Sequence, residues 1–148
     1  MRPSYRVNPD ALRRARGDLG LTLDVRVKFE RLRGRGQNSV ALGRYNGTDP
    51  YNPAHQISLN PNQTVRAVNA SLWHELMHAR QCERIGSWPR FDSEYARQCR
   101  AVVTDPDAFY TQYRAAPWES EAYAEQHEYE RGNRYDLILS APCATVEP

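Results

Sequence analysis

Long apolar runs are missing from this sequence. Its mean hydropathy is −0.81, and no stretch approaches the ~20 apolar residues of a membrane helix, so a helical span is excluded. The first twenty residues carry charge but no apolar segment of the kind a secretory signal needs. The expected compartment is therefore the cytoplasm. Cysteine is scarce as well: Cys82, Cys99 and Cys143 are odd in number and widely spaced. That excludes a disulfide framework and predicts reduced, partly buried thiols. Lysine is almost absent, since Lys28 is the one lysine among 20 basic residues.

What is present fits one domain of 148 residues. The net charge of +2 makes no polyanion binder of the whole chain, but its distribution is uneven. Residues 1–36 hold ten basic and four acidic groups, a net of +6, and the remainder holds ten and fourteen, a net of −4. The basic segment admits a weak nucleic-acid contact as an expectation.

The pattern of elements is segregated. Asn8-Pro9-Asp10 opens a helix over 9–19 that Gly20 stops. Leu23, Val25, Val27 and Phe29 alternate with charged residues, the signature of a strand with one buried face. Residues 33–38 read as a turn, 39–45 as a second strand, 46–53 as a loop dense in turn formers, and 55–60 as a third strand. Val65, Val68, Leu72, Leu76 and Ala79 then recur at helical spacing, predicting a long helix over 63–85 that ends at Gly86. Further helices are expected over 92–102, with Asp92 as cap, over 106–115, and over 117–131 before Gly132. The tail 135–139 is a short apolar run that can cover the core. This order predicts an α+β fold: a small, mostly antiparallel three-stranded sheet packed on a long helix, followed by a helical C-terminal half.

The long helix contains His74-Glu75-Leu76-Met77-His78, an H-E-x-x-H motif. One helical turn separates the two histidines, so both imidazoles can reach one ion. Glu75 stands beside them, placed to take a proton from a metal-activated water and pass it to a leaving amine. Leu72, Trp73, Leu76 and Met77 surround the triplet, which places the histidines on an inward stripe. Buried polar groups need partners, and a metal provides one.

A catalytic zinc site needs a third protein ligand. The extension G-x-x-H is absent, because Gln81 and Arg84 occupy those positions, and this excludes a metzincin. The best candidate is Glu121 on the helix 117–131. Ala122 and Ala124 would let that helix approach closely. Glu125, one turn on, could accept the free ring N–H of a ligand histidine. Glu119 and His127 are the competitors, the latter giving a three-histidine site like that of SprT-like proteins. Cys82 extends the face of His78 but lies too far along to bind with both histidines, and reads as packing.

His74-Glu75-x-x-His78 followed by Glu121-Ala122-x-x-Glu125 resembles the gluzincin zinc peptidases. The short interval between the motifs is similar to that of minimal gluzincins and ImmA-type peptidases. The resemblance implies a zincin-like fold, Zn2+ as cofactor, and a peptide or protein substrate. It also implies that 55–60 is an edge strand pairing with extended substrate. His55 reads as a surface or loop residue. Donors to the reaction's oxyanion are sought among Tyr110, Tyr113, Arg114, Tyr123 and His127, while Trp73 and Trp118 read as core. The expected function is a zinc metallopeptidase with His74, His78 and Glu121 as ligands and Glu75 as base. The alternatives are a non-catalytic zinc protein serving folding or assembly, and a nucleic-acid-associated SprT-like protease.

Overall fold

A computed structural model describes residues 4–34, 41–132 and 135–141. The expected turn at 33–38 lies mostly outside the described residues, as do Cys143 and the C-terminal end. The fold is α+β. Strand β1 (Ser4–Val7) leads into α1 (Pro9–Leu19), whose start is capped by the Asn8 side chain and whose end is a left-handed Gly20. Strands β2 (Asp24–Phe29), β3 (Gly43–Thr48) and β4 (Ala54–Leu59) follow. The rest is helical: α2 (Val65–Ile85), α3 (Trp88–Val102), α4 (Phe109–Gln112) between two 3-10 turns, and α5 (Pro117–Gly132). The closing strand β5 (Ile138–Ala141) pairs antiparallel with β1. Among the described residues, no helix is long and apolar enough to cross a membrane.

The three-stranded sheet has the order β2-β4-β3, with β4 parallel to β2 and antiparallel to β3. Residues 55–60 therefore lie on the central strand, which corrects the expectation of an edge. The physical reason is burial on both faces: five of the six residues of β4 are buried, as suits a strand covered from both sides. His55 is likewise corrected from surface to core. It is fully buried, with Nδ1 2.8 Å from the Tyr45 hydroxyl and Nε2 2.7 Å from Glu83 Oε2. Glu83 in turn accepts the Thr22 N–H at 2.8 Å and its hydroxyl at 2.6 Å.

Strand β3 runs through Asn46-Gly47, where the sequence predicts a loop. The turn formers make a bulge instead. Tyr45 pairs with Ile57 and Thr48 with His55, so one extra residue sits on β3. Gly47 takes φ +88 at this bulge, and a Cβ there would collide with the Trp88 indole. Helix α3 also differs from expectation, beginning at Trp88 rather than at 92. Ser87 caps it through its hydroxyl, and Pro89 sits in the first turn, where its missing N–H costs nothing. The expected helix over 106–115 is the short α4 flanked by its two 3-10 turns.

Helix α2 is the centre of the molecule. Val68, Leu72, Leu76, Met77 and Ala79 are fully buried, and Trp73 stacks on Tyr129 of α5 and on Tyr135. The Asn69 side chain ties α2 to β5, donating to Ile138 O at 3.1 Å and accepting Ile138 N–H at 2.9 Å. Cys82 and Cys99 are both buried.

The Gly47 bulge holds β3 against α3, so Gly47→Ala should destabilise the protein by about 2–4 kcal/mol through positive φ and overpacking. Urea unfolding measures this, and a wild-type midpoint would contradict it.

Candidate metal centre

The site is built from one turn of α2 and the first turn of α5. His74, Glu75 and His78 are all buried on α2, and Glu119 is 1 % exposed. One ligand atom from each of His74, His78 and Glu119 lies within 4.8 Å of the others. His74 Nε2 is 3.3 Å from Glu119 Oε2, close to the edge of a tetrahedron with ~2.0–2.1 Å metal bonds. His78 Nε2 contacts Glu119 Oε1 directly.

Both imidazoles are held from behind. His74 Nδ1 lies 2.9 Å from Gln126 Oε1, and His78 Nδ1 lies 2.8 Å from Gln81 Oε1. An amide oxygen only accepts, so each ring donates from Nδ1 to its glutamine and turns Nε2 toward Glu119. Gln81 also donates to Trp118 O at 3.0 Å, linking α2 to the start of α5. That start is held again by the buried Gln98, whose Oε1 accepts the Trp118 N–H at 3.0 Å. Ala122 is fully buried, which lets α5 lie close on α2. Tyr95 donates its hydroxyl to Glu119 Oε1 at 3.1 Å.

The structure brings Glu119 to the two histidines and leaves the expected Glu121 outside that group. Two residues along α5 is about 200° of rotation. Glu121 therefore leaves the site and meets the flank of α2, 3.5 Å from Arg80 Nη2 and 3.4 Å from Arg84 Nη1. At the Nδ1 atoms of the two histidines, where the sequence suggested Glu125, stand the side chains of Gln126 and Gln81. His127 is exposed, so no three-histidine site forms. The signal for Glu119 was in the sequence. Glu119, Ala122, Gln126 and Tyr129 recur at spacings of three, four and three, and they form the face of α5 turned to α2.

No protein-family model, curated protein or solved structure matches this chain. The assignment therefore stands on the donor set itself. Glu119 Oε2 is buried and makes no hydrogen bond. A carboxylate set against two imidazole nitrogens, with one oxygen left unpaired, fits a divalent cation, so this buried His-x-x-x-His plus Glu group can hold a metal ion.

Electrostatics agree. Burial alone would raise the Glu119 carboxyl, but the His74 and His78 imidazoles set against it hold it well below the usual carboxylate range. Burial works against a charged His78, but the hydrogen bond and charge of Glu119, with Glu75 nearby, raise its pKa to about 9. Glu75 is the opposite case: burial pushes its carboxyl up, against the pull of His74 and His78. Gly43 of β3 leaves room for it, since a Cβ there would lie 3.2 Å from Glu75 Cγ.

His74, His78, Glu119 and Glu75 line a cavity of about 750 Å³ between β3, α3 and the α4 segment. Of the residues considered as oxyanion donors, Tyr110 and Tyr113 are on its wall. Tyr123 stands edge-on to His74, with its hydroxyl 2.6 Å from that of Tyr113, and Arg114 lies over the Tyr123 ring.

Two outcomes follow. Glu119→Gln should weaken metal binding by more than the ~10–100-fold typical of losing an outer partner, and Glu121→Gln should change it by less than about threefold. Chelator competition measures both. In metal-free protein, the raised His78 pKa adds stability that is fully present below about 6.5 and is lost as pH rises through about 9. Unfolding of chelator-treated protein should therefore become easier between about pH 6 and about pH 10, by on the order of 3 kcal/mol. Glu119→Gln should flatten that dependence, and an unchanged slope in this variant would contradict the pairing.

Proposed function

We propose that this protein is a zinc-dependent metallopeptidase that hydrolyses peptide bonds. The observation that carries the reading is Glu75. A site that only holds an ion for folding needs no acid beyond its ligands, yet a second carboxylate, that of Glu75, is buried beside them on the cavity wall. Two imidazoles and one carboxylate are the donors of a catalytic zinc site that keeps an open position. Zinc also suits nitrogen donors better than magnesium or calcium does.

His74, His78 and Glu119 would hold the zinc, which supplies Lewis acidity toward a peptide carbonyl and toward water. Glu75 takes a proton from the attacking water and delivers it to the leaving amine. Tyr113 and Tyr123 share a single hydrogen bond between two hydroxyls. One proton of the pair is left to donate to the developing oxyanion, and Tyr113 is the member on the cavity wall. Gly43, Arg44 and Tyr45 of β3 border the cavity, and β3 is an outer strand of its sheet among the described residues. An extended peptide can add to that strand with its scissile bond toward Glu75.

The test is Glu75→Gln assayed on denatured protein substrates. Zinc content should remain at one per chain while kcat/KM falls by ~10²–10⁴-fold. Turnover retained in this variant would remove Glu75 from the base role, and no turnover in zinc-loaded wild type would overturn the peptidase reading.

A further inference from the structure

The cavity has a composition that the chemistry of Glu75 and the ligands does not require. One wall is the stripe Trp88, Phe91 and Tyr95 of α3, and the other is Phe109, Tyr110 and Tyr113 of the α4 segment. Of these six rings, Phe91 alone is fully in the core; the others keep partial exposure. Aromatic surface left open in a concave site costs hydration free energy, and such surface marks where a ligand's apolar part is received.

The walls are also preformed. Phe91 stacks on Trp88, on Tyr95 and on Trp118, the last at 4.9 Å between centroids. Phe109 stacks on Tyr113 at 5.2 Å, and Tyr110 meets Tyr113 edge-on. These contacts fix the rings before anything binds, so little ordering cost remains. The polar handle of one wall is already engaged, because the Tyr95 hydroxyl is donated to Glu119. Charged residues on the lining beyond the metal centre and Glu75 are Arg44, Asp92 and Arg100, and all three are exposed. They suit a rim rather than a charge-selecting floor.

We propose that this cavity is a recognition pocket for a bulky apolar side chain, aromatic above all, of the peptide held at the metal centre. Cleavage would then fall beside such a residue. The inference rests on the peptidase reading and specifies its substrate class. The volume of about 750 Å³ leaves space for a large ring together with neighbouring peptide.

A binding test separates the pocket from the catalysis. Zinc-loaded protein is titrated with two hydroxamates, one bearing a phenylethyl group and one a methyl group, and zinc content is measured alongside. The phenyl probe should bind about 10–100-fold more tightly, the effect of burying one aromatic side chain. Ala96→Trp, which fills the cavity from α3, should cut that ratio to about threefold or less. Tyr110→Ala, which removes wall without adding bulk, should lower it by about fivefold or more. Equal binding of the two probes, or a ratio unmoved in both variants, would overturn the pocket. Peptide cleavage with no such preference would overturn the pocket alone. The preference without any peptide cleavage would support the pocket and overturn the peptidase reading. Protein that takes up no zinc would overturn both.

Discussion

A carboxylate buried between two imidazoles is the arrangement to which the rest of the molecule is fitted. Glu119 is cut off from water, and one of its oxygens has no hydrogen bond. Such a group is costly unless a cation faces it. In metal-free protein a charged His78 serves, which is why its pKa rises to about 9. With a metal ion in place, the same three side chains become ligands and the proton must leave. Metal uptake at this cluster would therefore be coupled to folding.

The scaffold around the cluster limits its motion. Gln81 does two tasks, fixing the His78 ring and binding the Trp118 carbonyl at the start of α5. Gln98 reaches from α3 to accept the N–H of that same Trp118. The carboxylate of Glu119 is thus placed by its own helix terminus, which two glutamines from two other helices hold in register. Both ligand rings are oriented by neutral amides rather than carboxylates. This leaves the charge of the centre to Glu119 and Glu75.

Much of this fold was legible in the sequence. The strict alternation of 23–29, the caps Asn8 and Gly20, and the apolar spacing along α2 each act locally, and each appears where expected. His74, Glu75 and His78 were legible because both halves of the motif lie on one helix. The third ligand was harder, because it depends on the rotation of a second helix about its axis. Glu121-Ala122-x-x-Glu125 offered a familiar spacing, while the packing face was written in Glu119, Ala122, Gln126 and Tyr129. Strand order was not legible either. The neighbours of residues 55–60 are set by long-range pairing, and the β1–β5 ribbon joins the two ends of the described chain. Gly47 misled for a different reason: turn formers also build bulges, and only the contact with Trp88 shows which.

The central claim is that His74, His78 and Glu119 share one metal ion. Anomalous diffraction from crystals grown with zinc tests it most directly. The account predicts one peak bonded to Nε2 of His74, Nε2 of His78 and a carboxylate oxygen of Glu119, at about 2.0–2.2 Å. A peak ligated by Glu121, or no peak between α2 and α5 in zinc-saturated crystals, would contradict it.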